Sequence, residues 1–126
     1  TFATKLYTDL IRKGIFNRFT VDYVMKNREL ISNEYSDFEN FYKKFEVTDE
    51  MISDFRSLAE EEGVEWNDEQ FQRSEPMIKL QLKALVARNE WSQSEYYRVV
   101  MNEDKAIKKA VEISNDSNQY RKILKR

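Results

Sequence analysis

The sequence contains no histidine and no cysteine, and only two glycines and one proline. Each shortage removes a class of chemistry. Without cysteine there are no disulfides, zinc ribbons or thiol nucleophiles. Without histidine the commonest general base is gone, and with it most nucleophile–base pairs. Two glycines are too few for a phosphate-cradling loop. No apolar run approaches the roughly 18–20 residues needed to span a bilayer. What the chain does have is aromatic: eight Phe, seven Tyr and two Trp among 126 residues. That is enough apolar mass to build a real core in one domain of this length.

Charge is abundant but nearly balanced, at 21 basic against 23 acidic groups, net −2. Its distribution is uneven. Residues 1–31 carry six basic and three acidic groups, net +3; residues 34–75 carry four and fourteen, net −10; residues 76–126 carry eleven and six, net +5. Solvated helix faces and self-complementary packing account for most of this, and an acidic surface that selects a cationic partner is the alternative. A nucleic-acid partner is disfavoured, since no basic stripe or face emerges.

Apolar spacing is helical almost throughout. A first helix is expected over Ala3–Lys13, with Leu6, Tyr7 and Leu10 as its stripe and Gly14 as the left-handed residue after it. A second begins near Phe16, carries Phe19, Tyr23 and Val24, and ends around Asn27–Ile31. Ser36 and Glu39 form a capping box for a third, with Phe38, Phe41, Tyr42 and Phe45 following. Thr48 caps a fourth, with Val47 stapled to Ile52, Phe55, Leu58 and Ala59 on its stripe, and Gly63 closing it. Asn67 and Gln70 open a short helix through Phe71. Pro76 then predicts a break or kink at Glu75. The most apolar stretch, Met77–Glu90, carries Ile78, Leu82, Leu85 and Val86 on one side and Leu80 and Ala84 beside them. It is the expected centre of the core. Ser92 and Glu95 form another capping box, with Trp91 and Tyr96 as staple. Asn102 opens a helix holding Ile107, Ala110 and Val111, Asn115–Ser117 is a turn, and Tyr120, Ile123 and Leu124 belong to a last short helix. The predicted fold is all-α: a single compact multi-helix bundle of about six to eight short helices, one domain over residues 1–126.

The residues that could carry chemistry do not converge. Ser36, Ser74 and Ser92 sit at predicted helix starts, and no serine lies in a Gly-x-Ser setting. A Ser–Lys dyad is compatible with residue type alone. Glu60, Glu61 and Glu62 point successively round a helix end rather than into one site, and read as solvated. Asp49 and Glu50 suit the first turn of a helix. Asp116–Ser117–Asn118 is too short for a calcium loop and lacks its glycine. Phe16-Asn17-Arg18-Phe19 and Tyr96-Tyr97-Arg98 interleave aromatic and basic residues only locally. No catalytic, cofactor-binding or metal-binding residue is assigned, and no cofactor is expected.

Five segments together suggest a family: Leu6-Tyr7-Thr8-Asp9-Leu10-Ile11-Arg12-Lys13-Gly14-Ile15-Phe16-Asn17-Arg18-Phe19, Phe45-Glu46-Val47-Thr48-Asp49-Glu50-Met51, Leu80-Gln81-Leu82-Lys83-Ala84-Leu85-Val86-Ala87-Arg88, Ser94-Glu95-Tyr96-Tyr97, and Asp104-Lys105-Ala106-Ile107-Lys108-Lys109-Ala110-Val111-Glu112. In this order and spacing they resemble the helical C-terminal region of tail-specific, or carboxyl-terminal processing, serine peptidases of the Gram-negative envelope. The resemblance implies a fragment of a larger parent, with a PDZ-like module and a Ser/Lys catalytic pair upstream of Thr1. It implies protein substrates cut near their C-termini and a periplasmic or envelope location. No segment here matches the family's catalytic turns, so no catalytic residue is carried over.

Two functions follow as expectations. The first is a non-catalytic accessory domain that packs on the upstream protease core and shapes access to it. The second is a stand-alone helical protein–protein interaction module, with a homo-oligomer as one form. For either, Tyr7, Phe16 and Tyr97 are the candidate docking surface, because aromatics exceed what one stripe per helix needs.

Overall fold

A computed structural model describes residues 4–102. Among them the chain forms seven α-helices and no strand. They are α1 (Lys5–Arg12), α2 (Ile15–Lys26), α3 (Arg28–Glu34), α4 (Phe38–Lys44), α5 (Asp49–Glu61), α6 (Asp68–Glu90) and α7, which starts at residue 93 and reaches residue 102. The all-α expectation holds. The elements placed beyond residue 102, including Ile107, Ala110, Val111, the Asn115–Ser117 turn and the Tyr120–Leu124 helix, lie outside the described residues. Asn102 itself is helical, so α7 includes the position where a new cap was expected.

The long helix α6 is the axis, and α1 and α2 pack along it. Its residues Ile78, Leu80, Leu82, Ala84, Leu85, Val86 and Ala87 are all buried. A helix apolar on most of its circumference must be covered on most of it. The predicted core centre is therefore correct.

The predicted break at Pro76 is not. Asp68–Glu90 is one continuous helix with Pro76 inside it. An interior proline removes one backbone hydrogen bond and crowds the preceding turn, at about 3 kcal/mol. Buried Ser74 and Ile78 hold the turns on either side, and that packing offsets the local cost. Ser74, expected at a helix start, is thus mid-helix and fully buried, with its hydroxyl paired to that of Thr4.

The caps divide similarly. Thr48 accepts from the Met51 N–H at 3.2 Å, and Asn67 from the Gln70 N–H at 2.9 Å, as the sequence predicts. Gln70 does not complete a capping box. Its Oε1 instead accepts from the Leu6 N–H at 2.8 Å, tying the start of α6 to the start of α1. At α4 the cap is Asp37, which accepts from the Asn40 N–H at 2.8 Å, and not Ser36. A carboxylate is the stronger acceptor at the positive end of a helix, and Glu39, the expected partner of Ser36, is paired with Arg98. Ser92 does bond the Glu95 side chain, but Trp91 turns edge-on to Phe38 and Phe41 while Tyr96 stacks edge-on with Tyr97.

A further short helix follows α2 where the sequence predicts only its end. The backbone leaves helical geometry at Asn27, and α3 starts again at Arg28. The Asn27 side chain donates to the Tyr23 carbonyl at 2.8 Å, closing α2 without a glycine or proline. Gly14, at φ 68°, ends α1 and begins α2 within a two-residue turn that an L side chain would strain.

Most of the aromatic surplus is internal. Phe16, Phe19, Phe55, Trp66 and Phe71 form one chain of ring contacts, and Tyr35, Phe38, Phe41, Phe45 and Trp91 form another. Rings at these spacings add favourable edge and offset contacts to the burial itself.

Candidate docking surfaces

The three residues singled out from the sequence cluster in space but differ in exposure. Tyr97, on α7, is 55% exposed. Tyr7, on α1, is half-buried, with its ring 5.7 Å from that of Phe16. Phe16 is 3% exposed and belongs to the core. It cannot present a docking face, because its ring is spent on Phe55 as well as Tyr7. It does form the floor of a groove of about 390 Å³, whose walls come from Ile11, Leu85, Tyr96 and Tyr97.

This aromatic groove is held by polar contacts at its edge. The Tyr96 hydroxyl donates to Gln81 Oε1 at 3.2 Å. Arg88 lies 6.0 Å from the centre of the Tyr96 ring and donates to Asn17 Oδ1 at 2.8 Å. Burial, with Tyr96 nearby, holds the Tyr7 hydroxyl above the ordinary tyrosine value, so it stays protonated at neutral pH. Two apolar side chains that the sequence did not nominate enlarge the patch: Ile11, 49% exposed, and Met101, 60% exposed. Met101 stands four residues after Tyr97, on the same face of α7. Ile11 falls off the Leu6–Leu10 stripe, which was the available signal.

A second groove, of about 680 Å³, runs between α2–α3 and α5. Its floor is apolar, formed by Phe19, Tyr23, Met51 and Leu58, with Leu30 at its edge. Its α5 rim is acidic, and on the α2 rim Asp22 is paired with Lys26 at 3.0 Å. Asp22 stands on α2, and Glu50, Asp54 and Glu61 stand along one face of α5, with Lys26 the only basic lining residue. Glu50 is close enough to Tyr23 to help burial and Tyr35 raise that hydroxyl's pKa. The carboxylates form a rail and not a chelating cluster: among the described residues no group of three or more acids is placed to hold a metal ion.

The third groove, about 690 Å³ between α4 and α6, is lined by Lys43, Lys79 and Lys83, and two of these cations serve the fold. Lys83 donates to the Tyr42 carbonyl at 2.8 Å and lies over its ring, and Lys79 pairs with Glu75 at 3.0 Å. Among the described residues no helix is long and apolar enough to cross a membrane.

Neither a curated protein nor a solved structure matches the chain. A family model does match, over residues 6–92. That span contains the acidic groove whole, and the aromatic groove without its α7 wall. The chain is therefore a member of the family of unknown function DUF8443.

Proposed function

We propose that this chain is a non-catalytic helical docking domain whose partner is the catalytic core of a carboxyl-terminal processing serine endopeptidase in the same polypeptide. The docking half rests on one observation: Ile11, Tyr97 and Met101 leave large apolar side chains exposed around the aromatic groove. Such a patch on a small domain is favoured when something covers it. A stable cover between two domains buries on the order of 600–1,500 Å². The peptidase half rests on the resemblance of residues 6–19, 45–51, 80–88, 94–97 and 104–112. In that role the domain steers protein substrates toward a Ser/Lys pair that it does not itself contain, in the periplasm or envelope.

The test uses the full-length parent. Ile11→Glu and Tyr97→Glu place charge on the exposed patch without touching the core. Both variants should still label with a small serine-reactive probe, and both should cleave protein substrates several-fold more slowly. Deletion of residues 1–126 should have the same selective effect. If labelling and cleavage survive every change, the scaffold role is wrong. If the upstream reading frame encodes no peptidase, the stand-alone interaction module replaces it.

A further inference from the structure

We infer that the groove between α2–α3 and α5 receives a cationic amphipathic helix of a partner protein. The shape comes first. Walls from α2–α3 and α5 flank an apolar floor of Phe19, Tyr23, Met51 and Leu58, the arrangement into which an amphipathic helix lays its apolar face. At about 1.5 Å of rise per residue, the rail from Glu50 to Glu61 spans about 16 Å, or roughly three turns of an incoming helix. Leu30, 54% exposed, extends the floor at one end and offers a seat for a terminal apolar anchor.

Charge decides what kind of helix fits. Asp22, Glu50, Asp54 and Glu61 against Lys26 leave the lining at net −3. Fold stability does not call for all of these charges. Acids at Glu60–Glu62 oppose the α5 dipole. The fold neutralises two of them, Glu60 with Arg56 and Glu62 with Arg18. Glu61, between them, faces the groove, and among the described residues neither it nor Glu50 nor Asp54 is engaged in a salt bridge. On the α2 side Asp22 is paired with Lys26 at 3.0 Å, so the uncompensated charge is the α5 rail. A partner bearing Lys or Arg beside its apolar stripe pairs with that rail, and cations on both flanks allow this whichever way the helix runs. A neutral or acidic helix would leave the carboxylates facing apolar or like-charged surface, which selects against it. This inference is independent of the peptidase reading: the acidic groove and the aromatic groove share no lining residue.

The test is binding of a synthetic helical peptide of about 18 residues, with Leu at heptad-like spacing and Lys on both flanks, to the full chain. A peptide with the same Leu stripe and Glu flanks is the comparison. Amide shift changes in NMR spectra should map to residues 19–30 and 48–61 for the Lys peptide only. Asp54→Lys with Glu61→Lys should weaken binding by ~10-fold or more, chiefly through lost charge complementarity. Leu30→Ala should weaken it several-fold, and both variants should keep the parental denaturation midpoint. Equal affinity for the Glu peptide, shifts confined to the aromatic groove, or indifference to charge reversal would each overturn the proposal. So would tighter binding of a peptide of residues 103–126, with seven Lys or Arg, which would make this chain's own segment the occupant. A concentration-dependent dimer abolished by the double reversal would assign the groove to a second copy.

Discussion

Replacing Leu82 by Ala tests whether α6 is the axis of the fold. Leu82 is completely buried, in the middle of a 23-residue helix whose buried neighbours continue on either side of it. The substitution removes three carbons from a closed core. The transfer loss and the unfilled volume together predict about 3–5 kcal/mol, since each cubic ångström of residual cavity adds roughly 24 cal/mol. Against a typical stability of about 5–15 kcal/mol, that is roughly a fifth of the total or more. Leu30→Ala is the matched control. It makes the same chemical change on a helix, but at a side chain 54% exposed, and should cost no more than about 0.5 kcal/mol. The assay is equilibrium urea unfolding followed by far-ultraviolet circular dichroism and by tryptophan fluorescence. Trp66 reports from the Phe55–Phe71 cluster and Trp91 from the Phe38–Phe41 cluster. Coincident transitions would license the two-state free energy. A loss below about 1 kcal/mol at Leu82, or an equal loss at Leu30, would refute the assignment of α6 as the core axis.

Two further outcomes are expected. Asp37→Ala should cost about 1 kcal/mol and Ser36→Ala less than half of that, because the carboxylate and not the hydroxyl accepts the Asn40 N–H; equal costs in urea midpoints would restore the Ser36–Glu39 box. Tyr7, Tyr23 and Tyr35 are each raised above the ordinary value of 10.0, chiefly by burial. The folded chain thus binds these protons more tightly than the unfolded one, so their contribution is complete below pH 10 and is lost as pH climbs through the raised folded values. A urea midpoint that falls above pH 10, with a subset of phenols titrating later than free tyrosine at 295 nm, is the expected result; phenols that all titrate together would contradict it.

What could be read from the sequence was whatever local chemistry decides. Thr48 and Asn67 cap where they should because each needs only an N–H three residues on. Gly14 and Gly63 end helices at φ 68° and 88°, a geometry that other residues avoid. The α6 stripe was visible because periodicity persists over several turns. Failures came where a partner distant in sequence changes the local balance. Gln70 serves Leu6 instead of its own cap across 64 residues. Glu39 is drawn to Arg98, leaving α4 to Asp37. Pro76 is carried through by packing on both sides. Phe16 counts among the surplus aromatics in the sequence, yet Phe55 and Tyr7 close over it. The acidic groove was legible only as composition. Its α5 rail lies in the net −10 segment, but Asp22 comes from the net +3 segment, and only the α2–α5 packing brings them together.

The near-zero net charge conceals this arrangement. Acidic and basic groups do not alternate evenly over the surface; they sort into an acidic groove beside α5 and a lysine-lined groove beside α6. Two of the three lysines lining the latter, Lys83 and Lys79, are engaged with Tyr42 and Glu75, so the basic side is largely satisfied within the fold. The acidic side is not, because the three α5 carboxylates facing the groove find no cation among the described residues. A field of this kind acts at a distance of about a Debye length, roughly 8 Å at physiological salt, and orients a cationic partner before contact. The apolar floor then acts only after water is displaced. Affinity for a cationic helix should accordingly fall with added salt mainly through its association rate, whereas Leu30→Ala should raise the dissociation rate and leave the salt dependence unchanged. Stopped-flow binding of the Lys-flanked peptide at two salt concentrations separates the two, and a salt effect confined to dissociation would mean that the acids act as contacts and not as a guide.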